Sequence, residues 1–203
     1  MGAVGTIGTV SNEVRNVVDT YYSYEDAHTK DLYAKRLQYI VDNTEYNPSE
    51  ALTMYKSLEH WLDGDFGSES VDYDDLHEWG TNIEKLISQM PKYKSDTVYR
   101  GIRLDGWQLN SFLDKYSVGK EVKMPSLSSW STSLGTAQDF ATNFNLGGTK
   151  SVVFVSNSNN GVDISKFSNH LSEKEILQSS KQKWVVNKVS TKDDITYIYL
   201  KEV

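Results

Sequence analysis

The chain has 203 residues, a formal net charge of −7 and no cysteine. The lack of cysteine excludes disulfides, thiolate zinc sites and a cysteine nucleophile. The acidic balance, without any run of basic residues, argues against a protein that grips nucleic acid through its phosphates. No apolar stretch approaches the roughly 20 residues of a membrane span, and the N-terminus lacks both a basic start and a long apolar segment. We therefore expect a soluble, cytoplasmic protein.

The first half of the chain has the periodicity of helices. From Ser11 to about Tyr93, apolar and aromatic residues recur at spacings of three and four. Breaks are predicted at residues 43–48 and 63–68, which are dense in turn-forming residues. Pro48 is placed to open a helix, with the preceding asparagine as its cap, because proline is favoured at the first helical position.

From about residue 96 onward, alternation of apolar and polar residues predicts strands. Two helices, 105–116 and 136–143, interrupt them, the second with Gly135 or Thr136 at its cap. We predict one α+β domain over residues 1–203, in which a helical N-terminal portion (1–95) packs on a mainly antiparallel β-rich core (96–203). The strand candidates are residues 97–103, 120–123, 128–133, 151–155, 161–164, 175–177, 183–189 and 195–200.

Three short features of the β-rich half carry candidate chemistry. Arg100 offers a fork of donors for a phosphate or carboxylate, and Gly101 allows a ligand to approach the backbone. Residues 131–133 present three consecutive hydroxyls. Glu173 and Glu175 would share one face of an extended strand about 6–7 Å apart, where each disfavours ionisation of the other. Taken singly, each feature is more often structural: a salt-bridged arginine, hydroxyls that bond local backbone, or a solvated strand surface.

In this order, Tyr99-Arg100-Gly101, Trp130-Ser-Thr-Ser133 and Glu173-Lys-Glu175-Ile-Leu177 resemble the Arg-Ser-Glu signature of the mono-ADP-ribosyltransferases. Residues 118–141 and 173–189 resemble the blocks that carry these motifs. Tyr55 and residues 58–62 are similar to the helix before the nicotinamide site in clostridial binary-toxin enzymes and phage transferases. Residues 1–40 match no part of the family, and residues 178–181 depart from its frequent Pro-Pro-Gly turn.

The resemblance implies a two-sheet ADP-ribosyltransferase core and NAD as the donor substrate. Loss of nicotinamide leaves an oxocarbenium-like ribose, which a fixed carboxylate stabilises. Glu175 would hydrogen-bond the ribose 2′-hydroxyl, and Ser131 would orient Glu175. Arg100 would hold the phosphate or ribose side of NAD, and Gly101 would offer backbone groups to the nicotinamide amide. The predicted NAD-binding set also includes Tyr55, Thr132, Ser133 and Phe144, which would stack on the nicotinamide ring.

The resemblance also implies that Glu173 selects the acceptor, since family members with glutamate there modify arginine. A protonated guanidinium needs a carboxylate that attracts it and removes a proton as it attacks. Phe167, in the segment that would recognise the target, is the aromatic expected to touch it. Phe144 and Phe167 are equally interpretable as aromatic residues packed in the domain, whereas an aromatic on an apolar helical face, such as Tyr55, is more often a core residue.

We therefore expect a monomeric, arginine-specific mono-ADP-ribosyltransferase that acts on a protein, as a phage or intracellular bacterial effector. An NAD glycohydrolase or a transferase to nucleic acid is the first alternative. A catalytically silent binding module on the same fold is the second. No metal is expected, because the four histidines, at 28, 60, 77 and 170, lack metal-ligand spacing.

Overall fold

A computed structural model describes residues 9–64, 72–142, 148–168 and 174–203. The chain divides into two compact units, Met1–Pro91 and Lys92–Val203. This division falls close to the predicted boundary between the helical portion and the β-rich core. Among the described helices, none is long and apolar enough to cross a lipid bilayer.

The described part of the helical unit contains four α-helices. They are α1 (Asn12–Tyr21), α2 (Ala27–Asn43), α3 (Pro48–Leu62) and α4 (Tyr73–Gln89). Both predicted breaks begin where a helix ends. Pro48 occupies the first turn of α3, and the cap before it forms a reciprocal pair of hydrogen bonds with Glu50. Each N-terminus is satisfied by a side chain that accepts from a backbone N–H of the first turn: Ser11, Asp26, Asn47 and Asp72.

The helices pack through apolar residues spaced three or four apart, the spacing that places side chains on one helical face. This burial stabilises the unit mainly through the hydrophobic effect. The buried residues include Val14 and Val18 of α1, Leu37 and Ile40 of α2, Leu58 of α3, and Ile83, Leu86 and Ile87 of α4.

A polar cluster is enclosed within this apolar core. Nη1 of Arg36 donates to the Tyr55 hydroxyl at 3.1 Å, and the Tyr22 hydroxyl donates to Oε2 of Glu59 at 2.8 Å. Burial raises the pKa of Glu59, and burial also raises the pKa of Tyr22 and of Tyr55 above the usual tyrosine range. The hydroxyls therefore stay protonated and serve as hydrogen-bonding groups.

The second unit contains every predicted strand and both predicted helices. A 3₁₀ turn at Gly106–Gln108 leads into the first of these helices. The elements are β1 (Ser95–Asp105), α5 (Leu109–Lys115), β2 (Glu121–Lys123), β3 (Ser128–Ser131), α6 (Leu134–Thr142), β4 (Thr149–Ser158), β5 (Val162–Asp163), β6 (Glu175–Gln178), β7 (Lys183–Lys192) and β8 (Ile195–Glu202).

The strands form one hydrogen-bonded sheet, not the two sheets implied by the resemblance. Its order is β2-β7-β8-β4-β1-β3-β6-β5, and β4 pairs with β8 in parallel while the other pairs are antiparallel. The prediction of two sheets is wrong because β1 and β3 remain connected through one residue pair, Tyr99 with Ser131. The mixed, mainly antiparallel α+β class is confirmed.

The sheet folds over on itself, so that strands far apart in its order come into contact. Trp130 on β3 stacks on Trp184 on β7 with ring centroids 5.7 Å apart, although the two strands are four positions apart in the sheet order. In a flat sheet that separation would be about 19 Å at the usual strand spacing. The fold encloses a core that also contains Val98, Phe154 and Ile176.

Helix α6 packs on the other face of β1. Ala137 and Ala141 of α6 lie against Val153 of β4 and Ile195 of β8. The helix begins at Leu134, so the prediction of Gly135 or Thr136 as its cap is wrong. Oγ of Ser133 accepts from the Thr136 N–H at 3.2 Å, as an N-cap serine does for the third residue of a helix.

Candidate active site

Arg100, Ser131 and Glu175 lie on three adjoining strands. Tyr99, which precedes Arg100 on β1, pairs with Ser131 on β3, and Ser131 pairs with Glu175 on β6. Directly opposed residues of antiparallel strands have their Cβ atoms about 4.5–5.5 Å apart. The sheet therefore brings the three sequence-predicted groups into one neighbourhood.

The hydroxyl of Ser129 contacts Glu175, and the predicted orientation of Glu175 by Ser131 stays a prediction. Oγ of Ser129 donates to Oε1 of Glu175. Sequence reasoning missed Ser129, although it lies two residues before Ser131 and hence on the same face of β3. Ser129 could have been identified from this alternation, because a glutamate side chain on the adjacent strand is long enough to contact a diagonal neighbour.

Arg100 is anchored to the same residue. Its Nη1 donates to the Ser129 carbonyl oxygen at 2.7 Å, a short distance typical of a charge-assisted hydrogen bond. Burial lowers the pKa of Arg100, while the neighbouring Tyr116 and Glu175 act in the opposite direction. The cationic Arg100 and the anionic Glu175 are thus both hydrogen-bonded to Ser129 on β3.

Gly101 provides space for a helix. A Cβ at this position would lie 1.8 Å from the carbonyl oxygen of Ala137 and 3.0 Å from the amide nitrogen of Ala141. The missing side chain therefore lets α6 pack directly on β1. The contact of Gly101 with the nicotinamide amide stays a prediction.

The hydroxyl-rich run links β3 to α6 and to the start of β6. Oγ of Ser131, which is buried, accepts from the Ser133 N–H at 3.0 Å. The Thr132 N–H donates to the Lys174 carbonyl at 3.4 Å. Together with the cap formed by Ser133, these bonds hold the turn after β3 beside the residue that precedes Glu175.

Lys174 does not have the extended backbone that was predicted. Its φ is +46°, in the left-handed region that non-glycine residues adopt at a cost of about 1–2 kcal/mol. Strand β6 accordingly begins at Glu175, and the alternation used to place Glu173 and Glu175 on one face does not apply across Lys174. Glu173 itself lies outside the described residues.

The remaining predicted residues lie outside strands β1, β3 and β6 or outside the described residues. Tyr55 is buried in the helical unit, where its hydroxyl accepts from Arg36. Phe167 is buried in the β-rich unit, in the turn after β5, with its N–H bonded to the Ile164 carbonyl. Phe144 lies outside the described residues. Their contacts with NAD or with a target stay predictions.

The described residues contain no group of three or more histidine, aspartate or glutamate side chains placed to hold a metal ion. Arg100 and Glu175 are two oppositely charged groups of the neighbourhood, and both contact Ser129. Such a pair can hold an anionic or hydroxylated ligand and stabilise a developing positive charge.

Solved structures of ADP-ribosyltransferases share this fold. Vis from Vibrio splendidus, in complex with agmatine, is 19% identical with a TM-score of 0.56, and the match covers 100% of this chain and 90% of Vis. Exoenzyme S from Pseudomonas aeruginosa, bound to carba-NAD and human 14-3-3 protein beta, is 16% identical with a TM-score of 0.59, over 94% of this chain and 88% of that one. The enzymatic component C2-I of the Clostridium botulinum C2 toxin is 18% identical with a TM-score of 0.54, over 84% and 46%.

No curated protein sequence matches the chain significantly. The family model for NAD:arginine ADP-ribosyltransferases matches residues 53–203, well over half of the chain. The matched range includes Arg100, the 131–133 hydroxyls and Glu175. The chain therefore belongs to the NAD:arginine ADP-ribosyltransferase family and is an NAD-dependent ADP-ribosyltransferase.

Proposed function

We propose that this enzyme transfers ADP-ribose from NAD to an arginine side chain of a target protein and releases nicotinamide. The observation that carries the proposal is the meeting of Arg100, Ser129 and Glu175 on adjoining strands. A cationic donor for NAD and an anionic stabiliser for the ribose are the two groups that this reaction needs.

Glu175 is the proposed stabiliser of the reacting ribose. As the bond between nicotinamide and C1′ breaks, its electron pair goes to the nicotinamide nitrogen, which becomes neutral, and positive charge develops on the ribose. A carboxylate already held by a hydroxyl donor stabilises that charge without reorganising during the step. The bond from Ser129 is such a restraint on Glu175.

Arg100 is the proposed anchor for the phosphate or ribose side of NAD. A guanidinium has five N–H donors, and the bond from Nη1 to the Ser129 carbonyl fixes its direction. The side chain is only half-buried, so further donors can make charge-assisted hydrogen bonds to NAD. Tyr55, Gly101, Thr132, Ser133 and Phe144 complete the proposed NAD-binding set.

Glu173 is the proposed acceptor-selecting residue, with Phe167 in the segment that meets the target. The arginine nitrogen attacks C1′ and loses one proton, which the Glu173 carboxylate takes up. Vis has been solved with agmatine, which carries a guanidinium as arginine does. That complex supports a guanidinium acceptor for the fold, and the glutamate at position 173 supports it for this chain.

The test uses NAD labelled on the adenosine side, with agmatine and with a cell extract as acceptors. We expect the wild type to label agmatine and protein arginines and to release nicotinamide. Glu173→Gln should retain only slow NAD hydrolysis. Glu175→Gln should lose about 10²–10³-fold in both activities, the loss found when one preorganised transition-state contact is removed.

A matched control is available in Glu121→Gln. Glu121 lies on β2, is about half exposed and pairs with Lys183 at 2.7 Å, so its loss should leave both activities unchanged. Full labelling by Glu175→Gln would refute the proposed mechanism. Label on nucleic acid, or nicotinamide release without any acceptor label, would assign the enzyme to one of the alternatives instead.

A further inference from the structure

Ser129 contacts Glu175 and Arg100 of the proposed site through two different atoms. Its hydroxyl donates to Oε1 of Glu175, and its carbonyl oxygen accepts from Nη1 of Arg100 at 2.7 Å. The residue is half-buried. One strand position therefore restrains the anionic and the cationic group together.

The strand pairing explains why this position is used. Ser129 pairs with Leu177 on β6, and Glu175 pairs with Ser131, so Glu175 and Ser129 are diagonal neighbours on one face. Diagonal neighbours lie about 7–8 Å apart, within the reach of a long side chain. A glutamate directly opposite Ser131 can thus lean along the sheet to the Ser129 hydroxyl.

The limited pairing of β1 with β3 explains the second contact. These strands pair only at Tyr99 and Ser131, a register that would bring Gly101 opposite Ser129 if the ladder continued. The Arg100 guanidinium reaches the Ser129 carbonyl where the ladder has ended. The carbonyl oxygen of Ser129 therefore accepts from the Arg100 side chain of β1.

We infer that Ser129 is a positioning residue, whose hydroxyl orients the Glu175 carboxylate while its main-chain carbonyl orients Arg100. The inference rests on the proposed function of Glu175 and Arg100. The hydroxyl of Ser131 has a separate contact, with the Ser133 N–H at the turn before α6.

Ser129→Ala separates the two contacts, because it removes the hydroxyl and keeps the carbonyl. We expect kcat for nicotinamide release to fall about 10- to 100-fold, the range for loss of a hydrogen bond to a charged group. We expect KM for NAD to change by less than about twofold, since the anchor of Arg100 is retained. Ser129→Thr, which restores a hydroxyl on a strand-favouring residue, should recover most of kcat.

Ser128→Ala is the matched control. Ser128 is buried on the opposite face of β3, and its Oγ accepts from Nε1 of Trp130 at 3.0 Å. This variant should lower the thermal unfolding midpoint, because the buried indole N–H loses its partner. Its kcat should equal that of the wild type.

The outcomes separate this inference from the proposed function. A wild-type enzyme that releases no nicotinamide from NAD would refute the proposed function itself. An active wild type with an unchanged kcat in Ser129→Ala would overturn the inference. So would a raised KM with unchanged kcat, which would mark a direct contact with NAD, or an equal loss of kcat in Ser128→Ala.

Discussion

The contact between α6 and β1 at Gly101 predicts a large effect of adding one methyl group. In Gly101→Ala the new Cβ would lie 1.8 Å from the carbonyl oxygen of Ala137, whereas ordinary contact begins at 3.4 Å. Helix α6 or strand β1 must therefore move by about the difference, roughly 1.6 Å. The obstructing atom belongs to the backbone, so no side-chain rotation can relieve the overlap.

The magnitude follows from what α6 buries. Ala137 and Ala141 are 1% and 0% exposed, so a displaced helix loses its contacts with the sheet. Overpacking of this kind costs about 1–3 kcal/mol, and a backbone obstacle places the cost near 3 kcal/mol. For a chain of this size we expect the unfolding midpoint to fall by about 6–12 °C.

Thermal unfolding followed by circular dichroism measures this effect, with Gly135→Ala as the matched control. Gly135 lies in the same helix, and the nearest atom to its added Cβ would be Oγ of Ser133 at 3.8 Å, an ordinary contact. Because alanine favours helices over glycine by up to about 1 kcal/mol, Gly135→Ala should raise the midpoint. A Gly101→Ala variant with the wild-type midpoint would refute the packing of α6 on β1.

Two further predictions concern the polar cluster of the helical unit. Burial raises the pKa of Glu59 in the folded state. The stabilisation that Glu59 contributes to the folded protein is therefore fully present below the unfolded pKa of about 4.3 and is lost as pH rises through the folded pKa. Glu59→Gln should therefore gain stability relative to the wild type as pH rises from 4 to 8 in urea unfolding, and a difference independent of pH would contradict this. Tyr55→Phe removes the acceptor of the 3.1 Å bond from Arg36, and we expect the free energy of unfolding to fall by about 1–3 kcal/mol; unchanged urea unfolding would contradict that role of the hydroxyl.

Local features of the chain were sufficient to predict the elements and to single out Arg100, Ser131 and Glu175. Apolar spacing defined the helices of the first half, and Pro48 marked the start of one, because proline is favoured at the first helical position. Alternation defined the strands that carry Arg100, Ser131 and Glu175. These features depend on residues close together in the sequence, which is why they could be predicted without a structure.

The contacts within the site depended on pairing between distant segments, and only the tertiary structure could decide them. The register between β3 and β6 selects Ser129 to contact Glu175, since a shift of the pairing would bring other residues together. The Tyr99–Ser131 pair joins the strands into one sheet, and the approach of α6 determines the space at Gly101. The sequence by itself determined which residue types the site contains, whereas register and packing decided which atoms touch.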